Sequence, residues 1–261
     1  MAMATPIHAE TARLPIEPLM ADDALVVWQH RGSSGRLVLA FSGIGKRVEA
    51  VPPYEFARIA TGDGADSTLF IIDPQRTWLN GEGLIERIVA VVEEFAESVG
   101  VDDYLTLGHS MGGYAAMVIS DFLPVKSAVA LSPQYSVHPD VAGDDPRWMF
   151  FRRRIPEHRL TSIAEHIVEG TQYHVFHGGN RVERPQRNRF PVLDNLMHTI
   201  LPNTAHAVPQ KLKRLGLLHA VVRAALDNQP KLVRRTLTPL GAHRRKLKQY
   251  PALAPYAEVV T

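Results

Sequence analysis

A serine with closely spaced glycines stands near the middle of the chain, in Gly108–Gly113 (GHSMGG). The apolar stretch Tyr104–Leu107 before it is typical of a buried strand, and the small and apolar residues of Ser110–Phe122 predict a helix. A sharp turn between strand and helix lifts a serine hydroxyl clear of the sheet, and the glycines avoid collisions of Cβ atoms with backbone. Amides at a helix start can stabilise an oxyanion. The pattern predicts that Ser110 is a nucleophile for an ester-like carbonyl.

The segment resembles the nucleophile elbow of the α/β-hydrolase superfamily, and the similarity extends over about residues 24–226. The alternative is a glycine-rich turn that only packs tightly or holds a phosphate, although no G-x-x-x-x-G-K-[ST] sequence is present. The resemblance implies an α/β fold with a mostly parallel central sheet flanked by helices. It also implies the order serine, acid, histidine along the chain and an oxyanion hole of two backbone amides.

A second glycine-rich turn, Ser42-Gly43-Ile44-Gly45, follows the predicted strand Arg36–Phe41. The resemblance places one oxyanion-hole amide in this loop, so the backbone amides of Ile44 and Met111 are the expected donors. This sequence has Ser42 where the family often has histidine, which leaves the donor in this loop open. An ordinary glycine-rich turn remains the alternative.

A serine nucleophile needs a general base, and the chain has twelve histidines. His206 follows the predicted strand Leu196–Leu201 and precedes a helix, which matches the position of the histidine in the family. Other histidines fall within or beside predicted strands and are expected to be structural: His174, His177 and His198. His206 is therefore the predicted base.

The acid that orients the histidine is expected after the preceding strand, Tyr173–Phe176. Glu183 is the first carboxylate in the following loop, and Asp194, just before the next strand, is the alternative acid. The arginines around Glu183 leave a structural ion pair as another interpretation. Asp73, which also ends a predicted strand, precedes Ser110 in the chain and is interpreted as an Asp-Pro turn or loop anchor, with substrate contact as the alternative.

Residues from about 134 to 170 interrupt the alternation of strands and helices and predict a small insertion that covers the site. Its aromatic and basic residues are candidates for contact with an acyl group and with an anionic leaving group such as a phosphopantetheine or an acidic saccharide. The alternative is a helical cap whose aromatics only pack on the domain. The candidates are Tyr135, Trp148, Phe151 and Arg152.

The remaining pattern alternates strands with helices, which is typical of a parallel sheet covered on both faces. A short Gly/Ser turn between Ala24–Gln29 and Arg36–Phe41 predicts a hairpin, and apolar residues at helical spacing predict helices over Gly83–Glu97 and Val208–Leu226. We expect an irregular N-terminal arm (1–22), an α/β-hydrolase domain (23–228) and a basic C-terminal tail (229–261).

Composition limits the chemistry. The 261 residues are 45% hydrophobic and 21% charged, as in ordinary globular proteins, and the formal net charge is +2. The absence of cysteine excludes disulfides, thiolate nucleophiles and cysteine-ligated zinc. We find neither a secretory signal nor an apolar run of about eighteen residues, so we expect a cytoplasmic protein without an integral membrane segment. The basic tail could contact an acidic partner.

These features predict a serine hydrolase that cleaves a small-molecule or acyl-carrier ester or thioester through an acyl-enzyme. Such chemistry needs no metal and no organic cofactor. We expect no nucleic acid partner, and the sequence leaves the oligomeric state open. Two other hypotheses remain: an acyltransferase that uses the same residues, and a non-catalytic scaffold or binding protein with this fold.

Overall fold

A computed structural model describes residues 14–143 and 145–253 and contains, within those ranges, one nine-stranded sheet. The strands are β1 (Glu17–Ala21), β2 (Val26–His30), β3 (Arg36–Phe41), β4 (Ser67–Ile72), β5 (Asp103–His109), β6 (Val125–Leu131), β7 (Gln172–Gly178), β8 (Leu196–Leu201) and β9 (His243–Arg244). Their order across the sheet is β1-β2-β4-β3-β5-β6-β7-β8-β9. The six strands from β4 to β8 in this order are parallel, and β1, β2 and β9 pair antiparallel at the two edges.

Helices cover both faces of the sheet. The α-helices are α1 (Ala57–Ala60), α2 (Leu84–Val99), α3 (Met111–Val118), α4 (Pro139–Ala142), α5 (Met149–Arg152), α6 (Arg184–Arg187), α7 (Val208–Arg214), α8 (Leu218–Leu226) and α9 (Pro230–Leu237). Short 3₁₀ helices span Gly62–Gly64, Ile119–Asp121, Ile163–His166, Arg181–Glu183 and Thr238–Leu240. No helix in the described part of the chain is long and apolar enough to span a membrane.

Alternate residues of the central strands pack into two separate apolar layers, one on each face of the sheet, because successive side chains of a strand point to opposite faces. Leu37 and Leu39 of β3 pack with α2 and α3, whereas Val38 and Ala40 pack with α1, α7, α8 and α9. Because both faces are covered, the central strands place apolar residues on both of their sides. The predicted α/β class and the mostly parallel sheet are confirmed.

Three local predictions were wrong. The predicted hairpin does not form, because β4 pairs with both β2 and β3 and separates them. The single predicted helix over Val208–Leu226 is two helices, which Gly216 divides with φ +69°. The predicted irregular arm contains β1 within its described residues, and residues 1–13 of the arm lie outside the described part of the chain.

The C-terminal segment is folded over residues 229–253 and is no simple tail. Helix α9 buries Val233 and Leu237 in the core and exposes Lys231, Arg234 and Arg235. Strand β9 then pairs with β8 and adds an antiparallel edge to the sheet. Residues 254–261 lie outside the described range, and an acidic partner for this basic surface stays a prediction.

Candidate active site

Ser110 occupies the sharp turn between β5 and α3, with φ +58° and ψ −120°. A Cβ atom at Gly108 would lie 2.0 Å from the carbonyl oxygen of Gly112, and one at Gly112 would lie 2.1 Å from the carbonyl oxygen of Phe41. Only glycine fits these two positions, because real Cβ atoms do not approach backbone so closely. The sequence therefore bends as its glycines predict, and Ser110 lies at the carboxyl edge of the parallel strands.

His206 meets Ser110 from the loop between β8 and α7. Its Nε2 lies 2.8 Å from Ser110 Oγ, although the two residues are 96 positions apart in the chain. His109 Nε2 lies 3.1 Å from the carbonyl oxygen of His206 and ties this loop to β5. Burial, with a smaller contribution from His206, lowers the pKa of His109 to about 4, so the ring is neutral near pH 7 and donates to that carbonyl.

Glu183 is the carboxylate beside His206. Both of its carboxylate oxygens lie 3.4 Å from His206 Nδ1, which is longer than most hydrogen bonds, and the side chain is buried. Burial alone would raise the pKa of Glu183, but the hydrogen bond and charge of His206, together with His177 and Arg147, lower that pKa to about 2. The carboxylate is therefore ionised and can orient and stabilise an imidazolium.

Asp194 does not lie near His206 and needs correction as the alternative acid. It is exposed and precedes β8, whereas His206 follows that strand. The two residues therefore lie beyond opposite ends of β8, Asp194 at its amino end and His206 at its carboxyl end.

Arg147, from the insertion, is a second partner of the Glu183 carboxylate. Its Nη1 donates to Glu183 Oε1 at 2.6 Å, and its Nε and Nη2 donate to Asp145 at 2.9 Å. The guanidinium also lies over the Trp148 ring, at 4.6 Å from the ring centroid. Sequence reasoning missed Arg147, since it lies in an irregular segment with no periodic pattern around it.

Of the four substrate candidates in the insertion, Trp148 lies at the site. Its ring centroid is 4.9 Å from that of His206. Phe151 lies at 5.0 Å from the Arg76 guanidinium, which holds the loop after β3 by donating to the carbonyl oxygens of Ile44, Arg47 and Ala50. Phe151 therefore contacts the residue that holds this loop, and no contact within the described part of the chain places it beside Ser110 or His206.

The prediction that Tyr135 and Arg152 contact the substrate is not supported by their positions, because both side chains are buried. Tyr135 is buried in the core against Phe190. The Arg152 guanidinium is also buried and donates to the carbonyl oxygens of Ala142 and Asp145 at 2.7 and 2.6 Å. Arg152 thus satisfies the irregular backbone of the insertion, and its charge does not face a substrate.

The loop of the expected oxyanion hole is fixed by hydrogen bonds from Ser42 and Gly43 to residues further along the same loop. Ser42 Oγ donates to the Pro53 carbonyl at 3.0 Å, and the Gly43 amide donates to Glu55 Oε2 at 3.1 Å. Burial raises the pKa of Glu55 to about 7, against the opposing effect of the Gly43 hydrogen bond. Met111 is the first residue of α3, so its amide is among those for which a helix provides no acceptor. The roles of the Ile44 and Met111 amides stay a prediction.

Gln134, which follows β6, is a second residue that sequence reasoning missed. Its Nε2 donates to Ser110 Oγ at 3.1 Å, and its Oε1 accepts from Trp78 Nε1 at 2.9 Å. The only available signal was its position just after a parallel strand, at the same edge as Ser110.

The strand histidines are structural, as expected. His177 and His198 are buried and lie 2.9 Å apart between Nδ1 and Nε2, and His177 Nε2 bonds to the Pro133 carbonyl. Burial lowers the pKa of both. His174 bonds to Asn228 at 3.2 Å. Within residues 14–143 and 145–253, no group of three or more His, Asp or Glu side chains is arranged to hold a metal ion.

No protein-family model matches the sequence, and a search of curated proteins gives no match. Among solved structures, the protein is similar to the carboxylesterase CesB (YbfK) from Bacillus subtilis, with a TM-score of 0.51 and 13% identity, over 82% of this chain and 92% of that chain. It is also similar to the capsule O-acetyltransferase of Neisseria meningitidis serogroup A, with a TM-score of 0.53 and 12% identity, over 79% and 94% of the two chains.

A third similarity is to a chain of the Glycosylation Associate Protein (Gap123) complex from Streptococcus agalactiae, with a TM-score of 0.54 and 12% identity. It covers 85% of this chain and 46% of that chain, so the protein spans less than half of that relative's length. At these identities the likeness concerns the fold. With the sheet order and the turn at Ser110, it leads to one conclusion: the protein has the α/β-hydrolase fold.

Proposed function

We propose that the protein is a serine hydrolase that cleaves an ester or thioester through an acyl-enzyme formed on Ser110. The observation that carries the proposal is the 2.8 Å contact between Ser110 Oγ and His206 Nε2, with the ionised Glu183 on the other ring nitrogen. A hydroxyl, an imidazole and a buried carboxylate in this order are the groups that acyl transfer requires.

In the proposed reaction, His206 accepts the Ser110 proton as Oγ attacks the carbonyl carbon. The carbonyl oxygen takes the electron pair and is stabilised by the amides of Ile44 and Met111. When the tetrahedral intermediate collapses, the bond to the leaving group breaks and the leaving atom takes the proton from His206. Water then attacks the acyl-enzyme with the same proton transfers, and Ser110 is regenerated. Besides the substrate and water, the proposed reaction uses only groups of the chain.

A fluorophosphonate probe tests the proposal, because it reacts covalently with activated serines. We expect the purified wild-type protein to incorporate the probe and Ser110→Ala to remain unlabelled. Ser98→Ala, which changes a serine of α2 distant from the site, is the matched control and should label like wild type. A wild-type protein that is folded and fails to react contradicts the proposal and favours the non-catalytic scaffold.

Acyl transfer to an alcohol is the second candidate, and the position of Trp148 favours it. The indole ring lies 4.9 Å from the His206 ring, and a bulky ring at this distance would narrow the access of water to the imidazole. An activated ester should be hydrolysed alone and should yield a new ester when alcohol acceptors are added. Product analysis by mass spectrometry decides: a hydrolysis product whose yield is independent of the acceptor excludes the transferase.

A further inference from the structure

A chain of hydrogen bonds that does not include His206 reaches Ser110. The Trp78 indole donates to Gln134 Oε1 at 2.9 Å, and Gln134 Nε2 donates to Ser110 Oγ at 3.1 Å. Trp78 and Gln134 are completely buried, and Ser110 is 3% exposed. Buried polar side chains form such chains because an unpaired polar group in the interior is costly. The nucleophile therefore has a fixed donor besides its basic partner.

The chemistry of the indole fixes the orientation of the Gln134 amide. An indole N–H can only donate, so the amide oxygen must face Trp78. The amide NH₂ then faces Ser110, and Ser110 Oγ accepts from it. With one lone pair engaged by Gln134, the hydroxyl proton is directed to His206 Nε2, which lies 2.8 Å away.

The turn that carries Trp78 is strained. Arg76, Trp78 and Leu79 have φ of +57°, +52° and +63°, a region that side chains other than glycine rarely adopt. Such strained conformations persist where surrounding interactions stabilise them, and they occur frequently at functional sites. Here Asp73 accepts from the Thr77 amide and hydroxyl, and Asn80 donates to the carbonyl oxygens of Thr77 and Trp78.

We propose that Gln134 is a further catalytic residue, whose side-chain amide stabilises negative charge on Ser110 Oγ in both halves of the reaction, with Trp78 as its positioning residue. The inference rests on the proposed function. During acylation, Oγ gives its proton to His206 and forms the bond to the carbonyl carbon. During release, the bond between that carbon and Oγ breaks, and Oγ takes the electron pair and regains a proton from His206. Gln134 donates to the charged oxygen in both events.

The test separates the two half-reactions. With p-nitrophenyl acetate, the burst of p-nitrophenol measures acylation and the steady state measures release of the acyl group. We expect Gln134→Met, which keeps the length of the side chain and removes the donor, to slow both rates by roughly 100-fold, the size of one donor to an oxyanion. KM should change little, because a ground-state contact with substrate is not removed.

Trp78→Phe keeps Gln134 and removes the donor that orients it. We expect a smaller loss, about tenfold, and the double variant should be no slower than Gln134→Met alone, because both changes act on one contact. Gln134→Glu keeps the acceptor for Trp78 and places a carboxylate against Oγ, so it should react more slowly than Gln134→Met. Circular dichroism and thermal unfolding verify that the variants are folded.

The failures of the two proposals are distinguishable. A folded Gln134→Met or Gln134→Glu variant with wild-type burst and steady-state rates overturns the role of Gln134 and leaves the serine hydrolase intact. Rate losses of Gln134→Met and Trp78→Phe that multiply in the double variant also overturn it, because the residues would then act separately. A wild-type protein that neither reacts with the fluorophosphonate probe nor hydrolyses the ester overturns both.

Discussion

Arg147 Nη1 lies 2.6 Å from Glu183 Oε1, an ion pair that joins the insertion to the loop after β7. The same guanidinium binds Asp145 through Nε and Nη2 and is thereby fixed in orientation. A buried carboxylate between a fixed arginine and an imidazole stays ionised without being free to move. The insertion therefore contributes to the candidate site by holding the Glu183 carboxylate.

The first prediction concerns the acid itself. Glu183→Gln keeps the shape of the side chain and removes the charge that stabilises a protonated His206. We expect kcat to fall by roughly 10⁴-fold with p-nitrophenyl acetate, as for loss of the acid in other triads. Asp194→Asn is the matched control, since Asp194 is an exposed carboxylate beyond the amino end of β8. A normal rate for Glu183→Gln would rule out Glu183 as the acid.

The second prediction concerns Arg147. Arg147→Met leaves Glu183 without its partner on the insertion and should lower kcat by about tenfold, because the carboxylate is less well fixed beside His206. Arg147→Lys restores the charge without the paired geometry and should recover part of the rate. Arg153→Met, an exposed arginine of the same insertion, is the control. Equal kcat for Arg147→Met and Arg153→Met would contradict this role.

The third prediction separates Arg152 from substrate binding. Arg152→Met leaves the carbonyl oxygens of Ala142 and Asp145 without a buried donor and should lower the free energy of unfolding by about 3 kcal/mol, while KM is unchanged. Arg154→Met, at an exposed position, should cost less than about 0.5 kcal/mol. Urea unfolding and steady-state kinetics measure the two quantities. A raised KM at wild-type stability would restore Arg152 as a substrate contact.

The fourth prediction uses the carboxyl group of Glu55. Burial raises its pKa from 4.5 to about 7, so between these values the folded protein holds a proton that the unfolded chain has released. The free energy of unfolding therefore falls as pH rises through this window. Glu55→Gln keeps an acceptor for the Gly43 amide and should be more stable than wild type above pH 7, by about 3 kcal/mol at most. Below pH 4.5 this advantage should vanish.

Urea unfolding at several pH values measures this difference. Glu49→Gln changes an exposed carboxylate of the same loop, between β3 and α1, and is the matched control. A stability difference between Glu55→Gln and wild type that is the same at pH 4 and pH 8 would show that Glu55 does not titrate in this window.

The sequence predicted the parts of the site that depend on local rules. Ser110, Glu183 and His206 each follow a parallel strand, and the carboxyl ends of parallel strands meet at one edge. The glycines at 108 and 112 also predicted the bend, because no other residue fits there. These inferences required only the strand pattern and its polarity.

The sequence did not predict the parts that depend on distant pairing. Strand β4 lies between β2 and β3, and all three strands are mostly apolar. Their hydrophobic patterns are too similar to specify which strands pair. Arg147 and Gln134 act through side chains on irregular segments, whose direction no periodic pattern reports. The break at Gly216 had a signal in the glycine itself, but the apolar stripe on both sides of it favoured one long helix.

The sheet order has a consequence for the way the protein reaches its native state. The groups around Ser110 Oγ come from chain positions as far apart as 78 and 206, and each arrives only when its own strand has docked. Closing such long loops is slow compared with forming helices. In a refolding experiment, far-ultraviolet ellipticity should therefore return before reactivity of the serine, and the lag between the two signals would time the docking of β8.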